Sequence, residues 1–231
     1  MCELYGISFS RPGKAISTLH RFADHSGRNP HGWGIAFYRQ GDAVIQKLPE
    51  KALLSKTYFR AVEEAESDVI ISHIRHASRG EKNERNCHPF VHHMDGRDWV
   101  FAHNGHVDGI YIHPRATGET DSESVFHILL DNIRDKSDTL SGLQYGITSL
   151  FEEYEFGRQI KLNFLLSDGD NVYAFGHHPE KPMYYQNLYH MQGARTLVST
   201  QVLDGTPWVK LPNDRLLVVA QGQIQSISGS I

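Results

Sequence analysis

The order of strand-like and helix-like segments is the strongest constraint this chain places on its fold. Strand-like runs with short helical stretches come first, two longer helical segments follow, and strands return to the end. "CELYGIS" opens as a short strand: Leu4, Tyr5 and Ile7 favour extended structure and Gly6 interrupts it. A short helix is expected around Ala15–Ala23. "GIAFYRQGDAVIQKL" predicts a hairpin, with Ile35–Tyr38 and Ala43–Leu48 on either side of "QGD". "KTYFRAVEEAES" suits a helix. "DVIISHIR" and "WVFAHNG" are apolar runs and read as buried strands, the second ending in a turn at Asn104-Gly105. "SRGEKNERNCHPF" between them is a polar loop. "TDSESVFHILLDNIRD" is a helix with Val125, Ile128, Leu129 and Ile133 at helical spacing and Thr120–Ser122 as cap residues. "LSGLQYGITSLFEEYEF" is a second helix that carries the poor helix formers Gly142 and Gly146. "KLNFLLSD" and "NVYAFGH" make a hairpin, and "RTLVST" and "DRLLVVAQGQIQSIS" are later strands. Blocks of this kind predict an α+β layered fold in place of alternating βαβ units.

Composition narrows the function. A chain of 231 residues suits a single domain over 1–231 with a core large enough to fold without staples. Hydrophobic residues at 39% and charged residues at 22% predict a globular protein. The net charge is -4 and there is no long Lys/Arg run, so no nucleic-acid partner is expected. No apolar stretch is long enough to span a membrane and no signal peptide opens the chain, which predicts a cytoplasmic protein with no membrane partner. Two cysteines without a CxxC pair exclude a disulfide framework. The 15 histidines raise a reading of another class, a metal- or ligand-binding protein. Against it, Pro89 lies between His88 and His92, HExxH is absent, and His73 and His103 fall on buried strands. No metal and no cofactor is therefore expected.

Four places can carry chemistry. Cys2 directly follows Met1. If Met1 is removed, one residue holds both a thiol and a free α-amine, with ordinary pKa values of roughly 8.5 and roughly 8. The amine can then take the thiol proton, directly or through a water, and no partner residue is needed. Arg75, near the end of a strand, offers a planar fork that fits a carboxylate; an internal ion pair is its ordinary alternative. Asn104 and Gly105 offer an amide and a backbone N–H that can converge on one oxyanion, although Asn-Gly is also a common hairpin turn. Asp121 begins a helix, where it either caps the helix or holds a cation.

Together these residues resemble the class II glutamine amidotransferases of the N-terminal-nucleophile hydrolase superfamily. The motifs, in order, are the near-terminal Cys2, Gly32-Trp33-Gly34, "SHIRHAS" from Ser72 to Ser78, His88-Pro89-Phe90, His103-Asn104-Gly105, and Thr120-Asp121-Ser122-Glu123. They span about half the chain. The resemblance implies a four-layer αββα sandwich of two antiparallel sheets between helices. It implies that Cys2 attacks the side-chain amide of glutamine and that Asn104 and the Gly105 N–H stabilise the oxyanion. Arg75 would bind the substrate carboxylate and Asp121 its ammonium, while Ser78 and the backbone around Trp33 or His76 would line the pocket. Family members that use the ammonia themselves carry a fused synthase domain, for which this chain is too short. Two readings of the chemistry follow: a stand-alone glutaminase that passes ammonia to a separate synthase subunit, or a hydrolase of another γ-glutamyl amide or peptide. Cys87, in the loop before His88, is expected to have no catalytic role.

Overall fold

The computed structural model describes residues 2–136, 138–154, 160–178 and 188–231. Among them the strands are β1 (Glu3–Lys14), β2 (Trp33–Arg39), β3 (Asp42–Leu48), β4 (Glu66–Ile74), β5 (Phe90–Met94), β6 (Arg97–Val107), β7 (Ile160–Ser167), β8 (Asn171–His177), β9 (Tyr189–Gln192), β10 (Arg195–Ser199), β11 (Val209–Lys210), β12 (Arg215–Ala220) and β13 (Gln223–Ile227). The helices are α1 (Ile16–Ala23), α2 (Lys56–Glu64), α3 (Asp121–Lys136) and α4 (Thr139–Tyr154). Pairing is antiparallel throughout. One sheet runs β11-β9-β10-β1-β4-β2-β3 and the other β13-β12-β8-β7-β6-β5.

The continuous apolar runs are explained by burial on both faces. In β4, Ile70 and Ile74 pack toward α1 and α2, while Val69 and Ile71 pack toward the second sheet. In β6, Phe101 faces α3 and α4, and Val100 and Ala102 face the first sheet. Successive side chains on a strand point to opposite faces, so each run supplies two cores at once. Three apolar layers result: α1 and α2 on the first sheet, sheet on sheet, and α3 and α4 on the second sheet. This is the expected αββα sandwich.

Three local expectations change. The opening strand is twelve residues long and sits inside its sheet, between β10 and β4. The strand β5, directly after His88-Pro89, falls partly within the expected polar loop and pairs with β6. Asn104 and Gly105 do not form a turn: β6 continues to Val107, and the two residues pair with Asn163 and Leu162 of β7. Close approach explains the glycine. A Cβ on Gly105 would lie 1.8 Å from the Lys161 carbonyl oxygen, so a larger residue would part the strands.

The glycines of α4 serve packing. A Cβ on Gly142 would lie 2.5 Å from the Ile133 Cα, on the backbone of α3. Helix propensity alone predicts that Gly142→Ala stabilises by about 1 kcal/mol. Forcing the helices apart costs about 1–3 kcal/mol. Gly142→Ala is expected to lower the urea midpoint at unchanged m-value; a raised midpoint would show that the crossing is not tight.

Candidate active site

The first residues are tied down chemically as well as by pairing. Glu3 pairs with Ile74 of β4, which sets Cys2 beside the Arg75–His76 segment. The buried Glu3 carboxyl accepts from Thr200 Oγ1 at 2.5 Å and from Gln201 Nε2 at 3.1 and 3.2 Å. The Thr200 hydroxyl oxygen also accepts from the Leu4 N–H at 2.9 Å. Burial pushes the Glu3 carboxyl up to about 7 despite these donors.

The half-buried Cys2 Sγ accepts from the His76 N–H at 3.2 Å and lies 3.4 Å from the His76 carbonyl oxygen. Burial raises the thiol above its ordinary value, so the neutral thiol is favoured and thiolate chemistry needs a base. Arg75 is buried just past the end of β4, and its N–H bonds the Gly32 carbonyl at 2.7 Å. Its guanidinium donates to the carbonyls of Glu81 (3.0 Å) and Arg79 (2.9 Å), with Gly80 at 3.5 Å. These bonds leave at least two of its five N–H groups for another acceptor.

Asp121 begins α3 and accepts on Oδ2 from the His106 ring Nδ1 and the Val107 N–H, both at 2.9 Å. Burial works to raise this carboxyl, but the donors outweigh it and hold it below the ordinary carboxylate range. Its other oxygen is left for a cation. The bond to Asp121 in turn raises the His106 imidazole.

Behind these residues lies a block of neutral imidazoles. His73 stacks on His88 at 4.2 Å, and burial drives His73 down to about 3 and His88 well below its usual value. The His103 N–H donates to His88 Nδ1 at 3.1 Å. His103 Nε2 lies 3.2 Å from the Lys161 carbonyl and therefore carries the proton; Nδ1 then accepts from the Ser122 hydroxyl at 2.9 Å. These contacts lock the segment that bears Asn104 and Gly105 between β7 and α3. Among the described residues no three His, Cys, Asp or Glu side chains are grouped to hold a metal ion.

A cavity of about 450 Å³ opens over Cys2, lined by His76, Ser78, Arg79, Asn104, Gly105, His106, Asp108 and Lys161. A recess of about 30 Å³ shares Cys2, His76, Ser78, Arg79 and Gly105 with it and adds Arg75, Thr120 and Asp121. Cys2, Arg75, His76, Ser78, Asn104, Gly105 and Asp121 thus meet around one opening. Trp33 does not line it. Its ring is fully buried against Tyr58 in the core under α1 and α2, because the apolar indole gains more there than at a polar cleft. Cys87 is buried outside the cavity, its Sγ 3.4 Å from the Asn83 carbonyl. The sequence reading gave no pocket role to Thr120, His106, Asp108 or Lys161. His106 follows a quoted motif, but Lys161 arrives only by pairing across from His106.

Comparison with known proteins gives the family. Residues 1–186 match the family model for class II glutamine amidotransferases. This chain belongs to that family. Uncharacterized protein MJ1515 of Methanocaldococcus jannaschii is 31% identical over 259 residues, covering 97% of this chain and 70% of that protein. A protein of Escherichia coli strain K12, named "Putative glutamine amidotransferase YafJ", is 34% identical over 189 residues, 76% of this chain and 72% of its own length. Among solved structures, a glutamine aminotransferase class-II domain protein from Silicibacter pomeroyi superposes with a TM-score of 0.68 at 19% identity, covering 97% of this chain and 98% of that one. At that identity it supports the fold of this class II amidotransferase chain and nothing finer. No described helix is long and apolar enough to cross a membrane.

The raised Glu3 carboxyl gives a signed pH effect. Its folded pKa of about 7 exceeds the ordinary 4.5, so the folded state holds the proton more tightly. Its contribution to stability falls as pH rises from 4.5 through 7 and levels off above. Glu3→Gln removes this, and its stability relative to wild type is expected to rise by about 3 kcal/mol between pH 4 and pH 8. Parallel urea titrations check this; a difference that is flat with pH would contradict it.

Proposed function

We propose that this amidotransferase-family protein hydrolyses a γ-glutamyl amide, with Cys2 as nucleophile and glutamine as the simplest substrate, and that residues 1–231 form one catalytic domain. One observation carries the reading: Cys2, Asn104 and Gly105 line the same cavity, and its recess adds Arg75 and Asp121. A zwitterionic amino-acid head needs a bidentate cation and an anion. Arg75 keeps free N–H groups for the carboxylate, and Asp121 keeps an oxygen for the ammonium.

With Met1 removed, the Cys2 α-amine takes the thiol proton as Sγ attacks the amide carbon. The raised thiol makes this base necessary, since little thiolate forms unaided. The Asn104 amide and the Gly105 N–H stabilise the tetrahedral oxyanion; each such donor contributes roughly 3 kcal/mol to catalysis in related chemistry. The amine leaves with the proton, and water then hydrolyses the thioester to release glutamate. When glutamine is the substrate, the leaving amine is ammonia, and a separate synthase subunit is the partner that would consume it. The strands past residue 186 support one domain: β10 pairs with β1, and β12 pairs with β8.

Intact mass before and after treatment with a glutamine-mimicking diazoketone tests the reading. The expected result is loss of Met1 and one adduct mapped to Cys2. Cys2→Ala should take no adduct and lose hydrolysis by several orders of magnitude. A processed, folded chain that refuses the label would overturn the assignment.

A further inference from the structure

The two sides of Cys2 differ greatly in size. The recess with Arg75 and Asp121 measures about 30 Å³ and the outer cavity about 450 Å³. Ammonia is a single heavy atom, comparable to a water that occupies about 30 Å³ in the liquid. The recess has room only for the charged ends of the glutamyl head, so its chain also lies in the outer cavity, which at about 450 Å³ falls within the roughly 300–1,000 Å³ range of pockets that hold whole small molecules.

Its wall also carries a net charge. Lys161 reaches it from β7, and none of the ion pairs among the described residues involves the Lys161 ammonium. Arg79 pairs with Asp108 at 2.9 Å, with both side chains about half exposed. His106 Nε2 lies 3.5 Å from the same Asp108 while its Nδ1 bonds Asp121, which favours the protonated ring. The cavity lining therefore holds two fixed cations, Lys161 and Arg79, and one carboxylate, Asp108. In the recess Arg75 and Asp121 balance, so the excess positive charge lies on the leaving-group side of Cys2.

We propose that the outer cavity binds the amine half of a γ-glutamyl-α-amino acid, with Lys161 and Arg79 taking its carboxylate; this rests on the γ-glutamyl hydrolase reading above. In such a substrate the carboxylate is attached to the carbon next to the scissile nitrogen. Ammonia or a neutral amine leaves Lys161 without an anionic partner, and a cationic amine is repelled. The reaction is a hydrolysis. Sγ bonds to the γ-carbon, the C–N bond breaks, and the amino acid departs with the proton first held by the Cys2 amine. One water then cleaves the thioester, returns the thiol and yields glutamate.

The test is a series of similar size and different charge: γ-glutamylglycine, γ-glutamylethylamide and γ-glutamyl-(2-aminoethyl)amide, with glutamine alongside. kcat/KM is measured on the full-length, Met1-free protein. γ-Glutamylglycine is expected to exceed the ethylamide by about tenfold or more, the scale of one charged hydrogen bond, with the cationic amide slowest. Lys161→Met should collapse that ratio, Lys161→Arg should keep most of it, and added salt should compress it. Equal rates across the series, or glutamine faster than γ-glutamylglycine, would overturn the inference and leave the hydrolase reading standing. No turnover of any compound together with no diazoketone label on Cys2 would overturn both. If Lys161→Met fails to fold, the wild-type charge series still decides.

Discussion

The pairing of Glu3 with Ile74 is the contact on which the functional end of the molecule depends. Chain termini ordinarily fray. Here the first strand lies inside a seven-stranded sheet, with β4 on one side and β10 on the other. The residue before it is held against the strand end that carries Arg75 and His76. A buried carboxyl tied to Thr200 and Gln201 reinforces that position from 197 residues away in sequence. The expense is a Glu3 that burial makes reluctant to ionise.

The opposite wall is fixed by a different device. Gly105 permits the Lys161 carbonyl to approach closely, and that carbonyl accepts a hydrogen bond from His103 Nε2. His88 and Ser122 complete the bonds to His103. Because burial keeps these imidazoles neutral, they act as rigid hydrogen-bonding struts and not as charges. A uniformly apolar filling would pack as well but would not set the strand's rotation, because hydrophobic contact has no direction and hydrogen bonds do.

The sequence made the layers legible because strands buried on both faces must read as uninterrupted apolar runs. It also made Cys2, Arg75, Asn104, Gly105 and Asp121 legible, because each belongs to a short motif with its own chemistry. For the pocket wall the expectation offered the backbone around Trp33 or His76, and of the two only His76 lines the cavity. Asn104-Gly105 misled because the same dipeptide serves a hairpin turn and a tight strand crossing, and only the position of β7 distinguishes them. Lys161 and Thr120 were invisible for a related reason. One reaches the cavity by cross-strand register, and the other stood in the sequence as a helix cap and a motif member with no role of its own in the pocket. The glycines of α4 looked like helix defects until α3 was found against them, its backbone at Gly142 and the Leu129 and Asn132 side chains at Gly146.

The central place of β1 has a consequence for biosynthesis. One of its neighbours, β4, emerges soon after it, but the other, β10, comes about 180 residues later in the chain. At ordinary ribosomal rates that is a wait of roughly ten to forty seconds. Until then the sheet has an unfilled edge and the N-terminal segment stays accessible. Once β10 closes over it, Glu3 and Leu4 are sealed in. In the proposed reaction Met1 must be removed, and the late arrival of β10 leaves the N-terminal segment accessible for that step during translation.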